Sequence, residues 1–218
     1  PREDMNGITT KVEWKKASDF FNDPSGKRNK ALSFEVPHFI QEKDGKEVVH
    51  PDVPLVDENY RFRRKVLVKL LTGIALGKNT WLHGHTGTGK STLVQQVCAR
   101  LGMICHRVNL DSGLERSDLT GNTELREHKG ATVSEFLEGI IPQAMQQPCV
   151  LLLDEIAAHL DAHRRAALYD EICALGAQAW MTGTGAELFA DLGTRAMHLE
   201  VTDTAGLSAV VATANGPD

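Results

Sequence analysis

The chain has 218 residues, 41% of them hydrophobic and 24% charged, and a formal net charge of −5. This is enough for one domain with a sizeable core and excludes a disordered tail, a collagen-like chain and a disulfide-stapled miniprotein. The basic excess that general phosphate-backbone binding leaves is missing. The longest strongly apolar run, Val150–Leu153, is far short of the roughly 20 residues of a bilayer span. No charged-then-apolar segment with a cleavage site precedes the rest, so the sequence reads as soluble and cytoplasmic, without a membrane partner. It begins at Pro1, as a trimmed piece would. Cys98, Cys105, Cys149 and Cys173 occur singly in apolar company, the pattern of reduced buried thiols.

In chain order, residues 1–52 are polar and broken by the turn formers Asp23-Pro24-Ser25-Gly26 and Asp44-Gly45. They read as a partly ordered N-terminal arm, with a helix over Val12–Phe21 and a short strand over Ala31–Val36. From Val53 to residue 218 apolar strands alternate with helix-length amphipathic stretches, the pattern of βα units on a mainly parallel sheet. The expected elements are a helix Arg63–Leu76, a strand Thr80–His83, a helix Ser91–Leu101 and a strand Cys105–Asn109. A helix around Val133–Gln146, a strand Cys149–Leu153, a helix Ala162–Leu175 and a strand Ala177–Thr182 follow. Two β-rich runs between Arg195 and Ala214 are joined at Asp203–Gly206.

Gly84-His85-Thr86-Gly87-Thr88-Gly89-Lys90-Ser91 fits GxxxxGK[ST] between a strand and a helix. The glycines at 84, 87 and 89 let backbone N–H groups turn inward around phosphates, and the helix N-terminus points its positive end at them. Lys90 is expected to reach the β- and γ-phosphates of ATP, Ser91 to ligate Mg²⁺, and Thr92 to lie near the α-phosphate. Some 60 residues on, Val150-Leu151-Leu152-Leu153-Asp154-Glu155 supplies a strand ending in two acids. Asp154 is expected to support Mg²⁺ and Glu155 to polarise the attacking water, the chemistry of triphosphate hydrolysis. The fold is therefore read as an α/β P-loop three-layer sandwich with ligand at the carboxyl ends of the strands. Leu160-Asp161 reads best as the N-cap of the following helix. His83, His85 and His106 read as packing or hydrogen-bonding groups.

Several ordered stretches resemble AAA+ ATPases of the MoxR group, most closely the cobaltochelatase ATPase subunit. They are Pro54–Phe62 (PLVDENYRF), His83–Leu93, Arg107–Ser112 (RVNLDS), Asp118–Gly121, Phe136–Pro142 and Leu151–Ile156. The resemblance implies Tyr60 and Phe62 near the adenine, and a β-hairpin over Leu119–Phe136 that faces the pore of a homo-oligomeric ring, a hexamer, acting on a partner protein. Short runs rich in Thr, Val and Leu around Glu127-His128-Lys129-Gly130 agree with a hairpin. Beyond Ile156 the sequence instead resembles the C-terminal part of RecF-type DNA-repair ATPases of the ABC class, over about residues 150–203. Ala212-Thr213-Ala214-Asn215 again resembles the AAA+ sensor strand, so the residue that orients the catalytic water is Thr182, Thr184 or Asn215. The sequence stops three residues after Asn215, so the family's arginine finger and helical lid are expected to be missing, and the chain alone to turn ATP over slowly. Two alternatives stay open: a RecF-like ATPase that dimerises on ATP and clamps DNA, and a regulatory module that holds ATP with little turnover.

Overall fold

The computed structural model describes residues 4, 6–21, 32–109, 116–128, 131–155, 161–175, 178–203 and 208–212. The chain opens with three antiparallel strands, β1 (Thr9–Lys16), β2 (Glu35–Lys43) and β3 (Lys46–Val48), in the order β1-β2-β3. Asp44 and Gly45 both adopt positive φ between β2 and β3, as a two-residue hairpin turn requires. The helix expected over Val12–Phe21 is thus a strand as far as Lys16, followed by a single 3-10 turn, Ala17–Asp19. Thr9, Thr10, Val12 and Trp14 are strand formers, and Val12 and Trp14 pair with Phe39 and Pro37. The short strand expected at Ala31–Val36 begins only at Glu35; Ala31 and the Asp23–Gly26 turn lie outside the described residues.

Helix α1 (Arg64–Ala75) leads into β4 (Thr80–His83), α2 (Lys90–Leu101) and β5 (Ile104–Asn109). A short helix α3 (Arg116–Thr120) precedes the hairpin β6 (Gly121–His128) and β7 (Ala131–Glu138), and α4 (Ile140–Ala144) follows it. The helix expected over Val133–Gln146 is therefore strand to Glu138 and helix only from Ile140. Val133, Phe136 and Leu137 pair with Arg126, Thr123 and Asn122, and Gly139 takes the extended N-cap conformation that separates the two elements. Next come β8 (Cys149–Asp154), α5 (Ala162–Leu175), β9 (Gln178–Gly183), a kinked 3-10 segment (Ala186–Arg195), β10 (Met197–Asp203) and β11 (Ser208–Ala212).

The central sheet has the order β11-β10-β4-β9-β8-β5. Five strands run parallel and β11 is antiparallel to β10. All six residues of β8 are buried, as expected of a strand covered on both faces. Alternate side chains divide between two cores: Leu82, Leu152, Trp180 and Leu199 pack with Leu67, Leu70, Val94 and Val97 of α1 and α2. Trp81, Leu151, Leu153 and Met181 pack with Tyr169, Ile172 and Phe189 on the opposite face. This is the expected three-layer α/β sandwich.

The N-terminal sheet is fastened to this body by its rim. Phe39 and Val36 share the α1/α2 core. Gln41 Nε2 donates to the Gly102 carbonyl at 2.7 Å, and the Cys105 N–H donates to the Asp52 carbonyl at 3.0 Å. Further along, the Gln96 amide on α2 bonds both the Asp57 N–H and the Leu55 carbonyl, which lays the segment before α1 along the helix that carries the phosphate loop.

Candidate functional site

The loop between β4 and α2 begins with a constraint that only glycine meets. Gly84 has φ +153, and a Cβ there would stand 2.0 Å from the Val201 carbonyl oxygen of β10; its N–H donates to the Gly183 carbonyl of β9 at 3.1 Å. The end of β4 is thereby clamped between its two neighbours. Gly89, with φ +78, forms the N-cap of α2 without any side-chain cap, so the N-terminal turn is left to an external acceptor. The Thr88 hydroxyl donates to the His85 carbonyl at 2.9 Å and closes the turn. Lys90, only 7% exposed, extends across the loop, and Nζ donates to the carbonyls of Gly84 (2.8 Å) and His85 (2.9 Å). Burial lowers its pKa, opposed by the charges of Asp154 and Glu155. His85, Thr86, Gly87 and Thr92 are exposed on the rim.

The acids stand at the carboxyl end of β8, beside the first turn of α2. Asp154 is 4% exposed. Its Oδ1 accepts hydrogen bonds from the hydroxyls of Ser91, at 2.6 Å, and Thr182. Its Oδ2 accepts two from Arg107, Nε at 3.0 Å and Nη2 at 2.6 Å. Burial works to raise the Asp154 pKa, but the three hydrogen-bonding partners and the Arg107 charge outweigh it and hold the carboxyl below its ordinary range. A hydroxyl and an ionised carboxylate side by side are hard oxygen donors of the kind Mg²⁺ takes, so Ser91 and Asp154 fit that ion. Glu155 is exposed and left-handed at φ +57, a conformation that costs a non-glycine residue of the order of 1 kcal/mol. Its N–H donates to the Thr182 Oγ1 at 3.1 Å. The Thr182 hydroxyl therefore ties the two acids together.

Of the three sensor candidates, Thr182 lies inside this cluster, Thr184 is exposed beyond the end of β9, and Asn215 lies outside the described residues. Arg107 is the group that sequence reasoning left without a role. Nothing local signals it: Arg107 reaches Asp154 because Asn109, two residues on, pairs with Asp154 in the register of β5 on β8.

A cavity beside the loop is lined by Tyr60, Arg61, Arg63, Thr88, Gly89 and Val201, among others. Tyr60 thus shares this cavity with Thr88 and Gly89 of the loop. Phe62 is half-buried, edge-on to Tyr60 at 4.9 Å and to Phe21 at 5.2 Å and beneath the Arg100 guanidinium at 5.4 Å, and both Tyr60 and Phe62 pack against the α1/α2 core.

The remaining candidates have structural explanations or lie apart. Asp161 caps α5, its Oδ1 accepting the Arg164 N–H at 2.8 Å; Leu160 lies outside the described residues. Cys98, Cys105 and Cys149 are buried and free and Cys173 is half-buried; burial pushes the Cys149 thiol up to about 12. His83 lies beside Trp81 and His198, and His106 Nδ1 is 3.7 Å from the Asp52 carboxylate. The β6–β7 hairpin exposes Leu125 and Phe136; its turn residues 129–130 lie outside the described residues. Among the described residues no helix is long and apolar enough to cross a membrane.

Parts of the chain are similar to known proteins. Residues 79–167 match the family described as AAA domain (dynein-related subfamily). The aerobic cobaltochelatase subunit CobS of Sinorhizobium sp is 42% identical over 106 residues, 49% of this chain and 32% of that protein. The DNA replication and repair protein RecF of Allorhizobium ampelinum is 65% identical over 54 residues, 25% of this chain and 14% of that protein. The chain thus spans a third or less of the length of these relatives. A crystal structure of a presumed ATPase from Cytophaga hutchinsonii aligns with a TM-score of 0.44 and 20% identity over 70% of this chain and 48% of that one, too distant to bear on function. The loop Gly84–Ser91 and the acidic strand β8 both fall inside residues 79–167, the stretch that is similar to the AAA domain.

Proposed function

We propose that the chain binds MgATP on the Gly84–Ser91 loop and hydrolyses its β–γ anhydride bond. The observation that carries this reading is the Ser91 hydroxyl held 2.6 Å from an ionised, buried Asp154, with the Lys90 ammonium across the same loop. The backbone N–H groups of the loop and the uncapped start of α2 cradle the phosphates, with Thr92 by the α-phosphate. Lys90 leaves its two carbonyls for the β- and γ-phosphate oxygens, and Tyr60 lies by the base. Ser91 and Asp154 hold the magnesium shell; the ion, when bound, neutralises charge on the β- and γ-phosphates. Glu155 polarises the attacking water, and Thr182 fixes the backbone from which Glu155 projects.

The finer reading is an AAA+ remodelling ATPase of the MoxR type. It would divide into an arm (1–52) and an ATPase core (53–218), assemble as a cytoplasmic homo-oligomeric ring, and present the β6–β7 hairpin to a partner protein in the pore. An arginine finger is worth about 10³–10⁵ in rate. Arg164, exposed, or Arg165, half-buried, at the start of α5 would serve a neighbouring subunit, so the 218 residues alone should turn over well below about one ATP per second. The RecF likeness favours a second reading, an ATP-dependent dimer that clamps DNA; native mass spectrometry with and without ATP separates ring from dimer. For the site itself, Lys90→Ala should weaken ATP binding by at least about tenfold, since a charge-assisted contact to phosphate is lost. Unchanged affinity by calorimetry would remove the phosphate-loop assignment.

A further inference from the structure

We propose that Arg107 is a positioning residue that occupies the acceptor face of Asp154 until MgATP binds and then yields it, so that Arg107 sets how much Mg²⁺ the site demands; this rests on the nucleotide reading above. An ionised carboxylate offers about four acceptor positions on its two oxygens. At Asp154 all four are in use: the Ser91 and Thr182 hydroxyls on Oδ1, and Nε and Nη2 of Arg107 on Oδ2. A metal ion or its water shell can meet this carboxylate only if one donor leaves. Thr182 is fully buried and also holds the Glu155 N–H, so its departure would orphan two groups. Ser91 carries a hydroxyl of the ligand type and sits on the first turn of α2.

Arg107 is the donor free to go. Its side chain is 43% exposed, and it stands on β5, the outer strand of the sheet, where water can take up the guanidinium at little cost. Electrostatics point the same way, because a guanidinium and a divalent cation at one carboxylate repel each other. Removing Arg107 therefore removes a competitor of the ion.

The test is ATP binding to the full chain by calorimetry at a series of Mg²⁺ concentrations and in EDTA. Arg107→Ala should lower the Mg²⁺ concentration of half-maximal effect by about three- to tenfold and leave the affinity in EDTA within about twofold. Arg107→Lys, which keeps a point charge but loses the fork, should fall between. Arg107→Gln serves as the second variant if the alanine form does not fold. An unchanged Mg²⁺ half-point would make Arg107 a structural brace and overturn the proposal, as would a large loss of affinity in EDTA, the mark of a phosphate contact. Absence of ATP binding by the parent chain at every Mg²⁺ concentration would instead overturn the nucleotide reading itself.

Discussion

The two larger sheets of this chain use their polar groups in opposite ways. In the parallel sheet, every strand that contributes to the site points its carboxyl end the same way. The registers His83–Gly183, Leu153–Met181 and Asn109–Asp154 therefore bring the phosphate loop, both acids, Thr182 and Arg107 to one edge. In the antiparallel N-terminal sheet strand ends alternate in direction, and the polar contacts are dispersed: Gln41 of β2 bonds the Gly102 carbonyl that caps α2, while His50 and Asp52, after β3, meet Asp4 and the start of β5. Parallel pairing concentrates chemistry, whereas antiparallel pairing distributes attachment.

Four variants would sharpen or break this contrast. The largest effect is expected at the focused edge: Glu155→Gln keeps shape and nucleotide binding but should lower steady-state turnover by about 10²–10⁴. Parental turnover would place the base elsewhere. Next, Leu152→Ala on β8, fully buried against α1 and α2, should destabilise the chain by about 2–5 kcal/mol in urea unfolding; a loss under about 1 kcal/mol would mean that this face of the sheet is not packed. Gln41→Ala leaves the Gly102 carbonyl without its side-chain donor and should cost about 1–3 kcal/mol while ATP affinity holds. A matching loss of affinity would show that the N-terminal sheet belongs to the site.

The smallest effect is a pH dependence. Burial works to raise the Asp4 pKa, but the N–H groups of Ile8 and Asn6 and the His50 ring outweigh it and leave the group lowered. Its contribution to stability is therefore complete above the ordinary carboxylate range of about 4 and disappears as pH falls through the lowered folded-state value. The stability gap between the parent and Asp4→Asn should narrow on acidification. A gap constant down to the acid transition would show that Asp4 gains nothing from ionisation.

The central machinery was legible because each piece is local. A strand, GHTGTGKS and a helix specify a phosphate loop without help from the rest of the chain, and LLLDE specifies a buried strand ending in acids. Asp161 was likewise readable as a cap. What failed was decided by pairing at a distance. Val12–Phe21 carries enough apolar residues for a helix, yet Phe39 and Pro37 claim Val12 and Trp14 as strand partners. Arg107 meets Asp154 only through the register of β5 on β8, which no local pattern encodes. Thr182 and Thr184 share the same parity; the end of β9 at Gly183 is what separates a buried hydroxyl from an exposed one.

Gly84 has a mechanical consequence. Where its missing Cβ would be, the Val201 carbonyl of β10 already stands, so backbone abuts backbone with no compliant side chain between them. A rigid contact of this kind passes displacement on undiminished. A pull on β10, or on its hairpin partner β11, would reach the phosphate loop as movement of the loop's first residue, and an alanine at position 84 would act as a wedge driven between β4 and β10.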